Sequence, residues 1–226
     1  MIVVYPYRKS NSYDNELRYS LRSLSNIKVD KVFIVGECPD WVTNVTHIKS
    51  PQAESKTSNV YRALKKACYA VPEDEFLLMN DDFYIMEPMD EIKLYHGGPL
   101  DEFLKKYNSS FPDSYYTKLI SVMNEKLGGE ANHYELHVPM MINKYHALTI
   151  LEDDRHRGSM FRTVYGNKFY EGRGERIEDV KIYRRTTDDI QCGESGFLSS
   201  DDSAFSGKMQ SLLSRKFPDR CIYEMY

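Results

Sequence analysis

The stretch from Glu75 to Tyr84, EFLLMNDDFY, decides the fold expected for this chain. Its apolar run, 76–79, has the length of a buried strand and stops just before two adjacent carboxylates, Asp81 and Asp82. Carboxylates at the end of a buried run cost solvation free energy unless a positive group meets them. A cation beside the pair is one interpretation, and a solvated turn capped by Asp82 is the other.

The composition is that of a folded globule without a strong charge of either sign. Of 226 residues, 41% are hydrophobic and 28% are charged, and the net charge is −4. A wholly basic surface is therefore excluded, although a local basic patch remains compatible with these numbers. The chain shows no membrane-span pattern, no signal-peptide pattern and no CxxC pair, so we expect a cytoplasmic protein with reduced thiols, no stable membrane insertion and no zinc site.

Short apolar runs alternate with helical patterns through the first part of the chain. Strands are predicted at 2–5, 31–36, 44–49 and 75–80, and helices at 15–24 and 58–69. This order is typical of an α/β fold with a mainly parallel, doubly wound sheet flanked by helices. Such sheets bind ligands beyond the carboxyl ends of their strands, where segments 6–8, 36–37 and 80–82 fall.

The rest of the chain is less regular, and no linker divides it. Helices are predicted at 99–107, at 115–129, from about Lys144, and near the end of the chain before Pro218. We therefore expect residues 1–226 to form a single domain.

The Asp81–Asp82 pair can serve one ion only under a geometric condition. Side chains one residue apart on an ideal strand point to opposite faces, so the strand must end there and Phe83 must leave the sheet. Carboxylate oxygens suit Mg²⁺ or Mn²⁺, which in turn bind phosphates. This pattern favours a metal site in which Asp82, furthest beyond the strand, is the direct ligand and Asn80 supports the turn.

Two blocks resemble known transferases. LLMNDDFYIM, after such a half-domain, resembles the metal-binding DxD-type motif of GT-A-fold glycosyltransferases. NDDF also resembles a block of the Stealth sugar-phosphate transferases, and HVPMMINK (137–144) resembles that family's H-x-P block with a following lysine. Small phage-encoded glycosyltransferases share this layout. The aspartate-containing opening strand of the Stealth family is replaced here by VVYPYRKS, so the resemblance supports nucleotide-sugar chemistry better than phosphate transfer.

The resemblance implies a GT-A (Rossmann-like) domain in which residues 1–85 bind a nucleotide-diphosphate sugar, with a UDP-sugar as the expected donor. The irregular portion, 86–226, would bind the acceptor and contribute to catalysis. The implied reaction is transfer of a hexosyl or pentosyl group to an acceptor hydroxyl, with Mn²⁺ or Mg²⁺ at the leaving diphosphate. The acceptor would be a glycan or a hydroxymethylated nucleobase in DNA, in a bacterial or phage-infected host cell. Two alternatives stay open: a Stealth-like sugar-1-phosphate transferase of polysaccharide synthesis, and a non-catalytic nucleotide- or carbohydrate-binding module.

Candidate donor-binding residues come from the strand ends, from a helix N-terminus that would attract anions, and from polar residues of the second half. They are Pro6, Tyr7, Arg8, Glu37, Lys56, Asn59, Asn80, Asp81, Lys144 and Arg162.

Candidate catalytic residues are Glu135, His137 and Asp81. Glu135 and His137 lie two residues apart and so on one strand face. His137 is expected to ligate the metal with Asp82, to act as a base or to contact a diphosphate, and Glu135 is a rival base for the acceptor hydroxyl. Asp81 is also expected to hold ribose or sugar hydroxyls.

Further polar residues of the second half admit two interpretations each. Asp179 and Lys181 form either a salt-bridged strand or an acceptor contact, and Tyr165 and Asn167 surround a glycine beside Arg162. The basic stretch 155–185 either meets an anionic acceptor or forms a solvated face, since acidic residues are interspersed in it.

Overall fold

The structure is a computed structural model that describes residues 1–9, 15–51, 55–128, 130–156, 158–183, 190–205 and 207–225, without the side chain of Lys56. Within these residues the helices are α1 Asn15–Ser23, α2 Lys56–Ala70, α3 Leu100–Ser110, α4 Tyr115–Leu127, α5 Lys144–Leu151, α6 Phe161–Phe169 and α7 Lys208–Lys216. The strands are β1 Ile2–Tyr7, β2 Lys31–Gly36, β3 Thr46–Lys49, β4 Glu75–Leu78, β5 Phe83–Ile85, β6 Tyr95–His96, β7 Met140–Asn143, β8 Glu175–Arg176, β9 Lys181–Ile182 and β10 Phe197–Ser200.

The central sheet has the strand order β3-β2-β1-β4-β7. The first four of these strands run parallel, and β7 pairs antiparallel with β4 at one edge. This confirms the predicted mainly parallel α/β sheet. The apolar runs of β1 and β2 are buried because helices cover both faces, whereas β3 alternates between half-buried and exposed residues, as an edge strand does.

Successive side chains of β1 enter different cores because strand side chains alternate between the two faces. Val4 packs in a core with Leu64 of α2 and Phe161 of α6. Val3 packs in the core on the other face, with Leu17 of α1. The helices thus flank the sheet on both sides and leave its strand ends open.

The chain passes from β1 to β2 and β3 on one side and later returns to β4 on the other side of β1. Such a reversal of strand order creates a crevice outside the carboxyl ends of the two diverging strands. β4 ends at Leu78, and β5 joins a second sheet with the order β5-β10-β9. The chain therefore leaves the central sheet at the Asp81–Asp82 pair, as the metal interpretation requires.

The second half contains the predicted helices α3, α4 and α5, and α4 is capped after Leu127 by Gly128, whose φ is +86°. α7 covers only the later part of the helix expected near the end of the chain. None of the helices described here is long and apolar enough to cross a membrane.

The C-terminal residues are fastened to α1 by a buried ion pair. The Glu224 carboxylate has no exposed side-chain surface; it accepts hydrogen bonds from Arg22 Nε at 2.6 Å and Arg22 Nη2 at 3.0 Å, and it also pairs with Arg18. Burial alone would raise the pKa of Glu224, but the hydrogen bonds from Arg22, from the Cys221 backbone and from Arg18 lower that pKa to about 2.

Candidate functional site

A cleft of about 580 Å³, here called the large cleft, opens beyond the carboxyl ends of β1 and β4. Its volume falls within the usual range for small-molecule sites. Predicted residues that line it are Pro6, Tyr7, Arg8, Asn59, Asn80, Asp81 and Asp82. The structure thus brings the end of β1, the first turns of α2 and the Asp81–Asp82 turn to one place, as the strand-end argument predicts.

Asp82 carries the feature of this cleft that most strongly points to a cation. Its Oδ2 accepts hydrogen bonds from Lys181 Nζ at 2.7 Å and from Ser199 Oγ at 3.4 Å. Its Oδ1 is buried and has no hydrogen-bond partner among the described residues. A buried carboxylate oxygen without a partner costs free energy, which a positive ligand would recover.

Asp81 adds negative charge that is only partly compensated. Burial raises the pKa of Asp81 well above its usual range, and the nearby charges of Asp82 and Glu16 raise it further, while Lys181 lowers it. Glu16 is buried and accepts a hydrogen bond from Ser200 Oγ at 3.2 Å. The wall of the cleft around the pair therefore favours the approach of a cation.

The donor set fits a divalent cation that arrives together with a phosphate ligand. Within the described part of the chain, no group of three His, Cys, Asp or Glu side chains is arranged to hold a metal. Mg²⁺ sites often use only one or two carboxylates and complete their shell with substrate phosphates and water. Asp82 Oδ1, assisted by Asp81, meets that requirement.

His137 does not share the large cleft with Asp82. Its Nδ1 lies 2.7 Å from Asp179 Oδ2, and its backbone N–H donates to Asp179 Oδ1 at 3.0 Å. His137 lines neither cleft described here, and the position beside Asp82 that was expected for it is filled by Lys181. The expected salt bridge between Asp179 and Lys181 is not formed among the described residues, because Lys181 pairs with Asp82 and Asp179 with His137.

A second cleft of about 170 Å³, the small cleft, contains Glu135 and Arg162 and shares Pro6, Val60 and Asn80 with the large one. Glu135 Oε1 accepts hydrogen bonds from the backbone N–H groups of Arg162, at 2.7 Å, and Thr163, at 3.2 Å, in the first turn of α6. Burial raises the pKa of Glu135, although the nearby Arg162 charge opposes this.

Arg162 is buried, and its guanidinium stabilises the wall between the two clefts through hydrogen bonds. Its Nη1 donates to the carbonyl oxygens of Leu136, at 3.0 Å, and Val138, at 2.7 Å, and its Nη2 donates to Asn80 Oδ1 at 3.4 Å. The Asn80 carbonyl oxygen in turn accepts from the Phe83 N–H at 3.2 Å, which closes the turn around the Asp pair. Asn80 thus contributes both its carbonyl oxygen and its side chain to this turn, and its expected contact with the donor stays a prediction.

Other predicted donor-binding residues lie outside the two clefts or outside the described atoms. Lys144 Nζ donates to the carbonyl oxygens of Val71 and Pro72, at the amino end of β4, because β7 runs antiparallel and carries the chain away from the large cleft. Glu37 is exposed, and its carboxylate accepts from the Lys9 N–H at 2.6 Å near the rim of the large cleft. The side chain of Lys56 lies outside the described atoms.

Several basic residues of the 155–185 stretch are paired with acids, whereas Lys168 and Arg173 bond a threonine hydroxyl and a backbone carbonyl. Arg155 bonds Asp153 at 2.6 Å, and Arg176 bonds Glu102 at 2.7 Å. Residues 157, 184 and 185 lie outside the described residues. These pairs fit the solvated-face interpretation better than an anion-binding patch. Tyr165 and Asn167 likewise have internal partners, the Asn143 N–H and Asn132.

Sequence reasoning missed several residues that line the large cleft: Glu16, Ser50, Pro51, Asp201, Asp202 and Ser203. A second Asp-Asp pair, at 201–202 directly after the last residue of β10, is the signal that could have indicated the last group.

Comparison with known proteins gives only distant likenesses. No family model and no curated protein matches the chain. Among solved structures, the apo form of the glycosyltransferase GlyE of Streptococcus pneumoniae TIGR4 is 12% identical, with a TM-score of 0.37, 78% of this chain covered and 44% of that one. A second GlyE structure is 12% identical, with a TM-score of 0.38, 78% of this chain covered and 45% of that one. HddC from Yersinia pseudotuberculosis is 14% identical, with a TM-score of 0.27, 50% of this chain covered and 54% of that one.

The chain spans less than half the length of the GlyE chains that it matches. At TM-scores this low, the likenesses carry no conclusion about activity, and function has to be argued from the chemistry of the two clefts.

Proposed function

We propose that this chain is a metal-dependent glycosyltransferase that moves a sugar from a nucleotide-diphosphate sugar to an acceptor hydroxyl. The observation that carries the proposal is the unpartnered, buried Oδ1 of Asp82 beside Asp81, in a cleft at the switch point of a parallel sheet. The resemblance of LLMNDDFYIM to the metal-binding DxD-type motif of GT-A-fold glycosyltransferases supports the same conclusion. The proposed donor is a UDP-sugar, and the proposed cation is Mn²⁺ or Mg²⁺.

The large cleft offers separate places for the parts of such a donor. Pro6, Tyr7 and Asn59 line it and are proposed to contact the nucleoside, while Arg8 supplies positive charge for phosphates. Asp82 Oδ1 would hold the cation, and a bound divalent cation neutralises the negative charge of the departing diphosphate. Lys181 neutralises the other oxygen of Asp82, Oδ2, at 2.7 Å, so that Oδ1 is the oxygen proposed for the cation.

The acceptor hydroxyl must lose its proton as the new bond to the sugar carbon forms. Asp81 and Glu135 are the carboxylates near the junction of the clefts, and burial raises the pKa of both. Either can accept that proton, so the matched variants Asp81→Asn and Glu135→Gln compare the two roles: the base variant loses kcat with little change in donor affinity.

The acceptor is proposed to be a glycan hydroxyl rather than a base in DNA. Within the described part of the 155–185 stretch, Arg155 and Arg176 are paired with carboxylates and Lys181 with Asp82, which reduces the positive charge available to a phosphate backbone.

A thermal-shift panel of nucleotide sugars, each with and without Mn²⁺, tests the proposal. We expect one nucleotide class to raise the melting temperature only when Mn²⁺ is present, and Asp82→Asn to lose that response. Lys144→Met is the matched control, because Lys144 lies at the opposite end of β4 and should leave the response intact. No response to any nucleotide sugar contradicts the proposal, and a phosphodiester in the purified product identifies sugar-1-phosphate transfer instead.

A further inference from the structure

The small cleft adjoins the place proposed for the donor diphosphate. It meets the large cleft at Pro6, Val60 and Asn80, and Asn80 directly precedes the Asp81–Asp82 pair. A group attached to a diphosphate beside that pair would therefore lie at the mouth of the small cleft. The volume is about 170 Å³. Since a protein cavity of about 150 Å³ holds benzene, the small cleft has room for one six-membered ring but not for two.

The walls of the small cleft combine apolar surface with polar atoms that include the Glu135 carboxylate. Leu78, Leu119 and Phe161 supply apolar walls. Glu135 Oε1 is engaged by the first turn of α6, whereas its Oε2 receives no hydrogen bond from any described residue. Apolar walls with a few fixed polar atoms are typical of small-molecule sites, and they match a sugar ring, which has C–H faces and hydroxyl edges.

The charge balance of the small cleft decides which ring it would accept. Arg162 is its cation, and the guanidinium is already committed to two backbone carbonyls and to Asn80. Among the described lining residues, the charged groups are this guanidinium and the Glu135 carboxylate. A carboxylate brought in by a ligand would thus meet a cation whose donors are already engaged, and it would be repelled by Glu135 in a partly buried site.

We propose that the small cleft binds the transferred sugar of the donor and selects one uncharged ring, a neutral hexose or pentose, over a hexuronic acid. This inference rests on the proposed function. Glu135 Oε2 accepts a hydrogen bond from a hydroxyl of that sugar, which leaves Asp81 as the carboxylate available to the acceptor hydroxyl.

Calorimetric titration in the presence of Mn²⁺ tests the inference with UDP, UDP-glucose and UDP-glucuronic acid as probes. The wild type should bind UDP-glucose at least about tenfold more tightly than UDP-glucuronic acid, because like charges in a desolvated site repel. Leu119→Trp fills the small cleft and leaves the large one untouched, since Leu119 lines only the former. This variant should weaken the binding of UDP-glucose by about tenfold or more and leave the affinity for UDP unchanged.

Glu135→Gln provides an independent variant that keeps an oxygen for the N–H groups of α6. It should bring the affinity for UDP-glucuronic acid to within about threefold of that for UDP-glucose, because the repelling charge is gone. The inference is overturned if the wild type binds UDP-glucose and UDP-glucuronic acid with equal affinity. It is also overturned if Leu119→Trp weakens the binding of UDP and UDP-glucose to the same extent, or weakens neither. In each of these cases UDP still binds the wild type, so the proposed function is unaffected. Absence of binding by any nucleoside diphosphate overturns the proposed function and this inference together.

Discussion

Removing the Lys181 ammonium should destabilise the protein more than removing the Asp82 carboxylate that it contacts. Both side chains are mostly buried, with 13% and 15% of their surface exposed. Lys181→Met leaves Asp82, Asp81 and buried Glu16 without that cation. Breaking a fully buried pair in this way costs about 3–5 kcal/mol, and the remaining exposure reduces the expected loss to about 2–3 kcal/mol. For a chain of this length, that is a drop of roughly 4–12 °C in melting temperature.

Asp82→Asn should cost about 1 kcal/mol or less, because Lys181 still lies near the Asp81 charge and the repulsion between Asp81 and Asp82 disappears. Urea unfolding of the two single variants and of the double variant measures this asymmetry and the coupling free energy, which we expect to be about 1–2 kcal/mol. Equal losses in the two single variants, or a larger loss for Asp82→Asn, would refute the reasoning.

The stability lost in Lys181→Met should depend on Mn²⁺ and on pH. Mn²⁺ should restore part of the stability lost in Lys181→Met, since a ligand of the folded state stabilises it, but it should not do so when Asp82→Asn is added. Loss of Lys181 raises the pKa of Asp81 further, so the extra destabilisation is absent below the ordinary value of 3.8 and develops as pH rises through the folded-state pKa. A loss of stability in Lys181→Met that does not change with pH or with Mn²⁺ would contradict this prediction.

The other predictions concern charge and backbone. Asp81→Asn should stabilise the protein at neutral pH and have no effect at acidic pH, as chemical unfolding will show, because burial raises the pKa of Asp81 and the folded state therefore disfavours the charged form. Glu224→Gln should cost about 3 kcal/mol at neutral pH by leaving Arg22 unpaired, with the difference from wild type shrinking as pH falls from 4.5 towards about 2. Gly36→Ala should cost about 3 kcal/mol or more in thermal unfolding and weaken nucleotide binding, because Gly36 has φ +130° and a Cβ there would collide with the Tyr7 carbonyl.

The sheet was predictable from the sequence because its signals are local. The apolar run of β2 ends at Gly36, and the spacing of Ala63, Leu64 and Ala67 places one helix face on the sheet. The meeting of the segment after β1 with the Asp81–Asp82 turn also followed, since parallel strands end at one edge of a sheet.

The partners of the Asp pair were not predictable because they are distant in sequence. Lys181 and Ser199 reach Asp82 across 99 and 117 residues, through a small sheet of short strands that have little periodic pattern. α6 was not predicted because its first six residues are all buried, and its sequence therefore lacks an amphipathic pattern.

Lys144 shows the limit of a short motif. The H-x-P block predicted that its following lysine would join His137 at the ligand, but four strand residues, 140–143, separate the block's start from Lys144. An extended strand advances about 3.3 Å per residue, so β7 carries Lys144 roughly 13 Å away from the end of β4 where the large cleft opens. Motif spacing alone does not give the direction of the strand.

The central claim is that Asp82 binds a divalent cation together with a nucleoside diphosphate. Calorimetric titration of UDP and other nucleoside diphosphates into wild type and Asp82→Asn, with and without Mn²⁺, tests it most directly. We predict that Mn²⁺ tightens binding of one nucleoside diphosphate to the wild type by about tenfold or more, and that Asp82→Asn abolishes this gain without unfolding the protein. A nucleoside diphosphate that binds wild type and Asp82→Asn equally, with no effect of Mn²⁺, would contradict the claim.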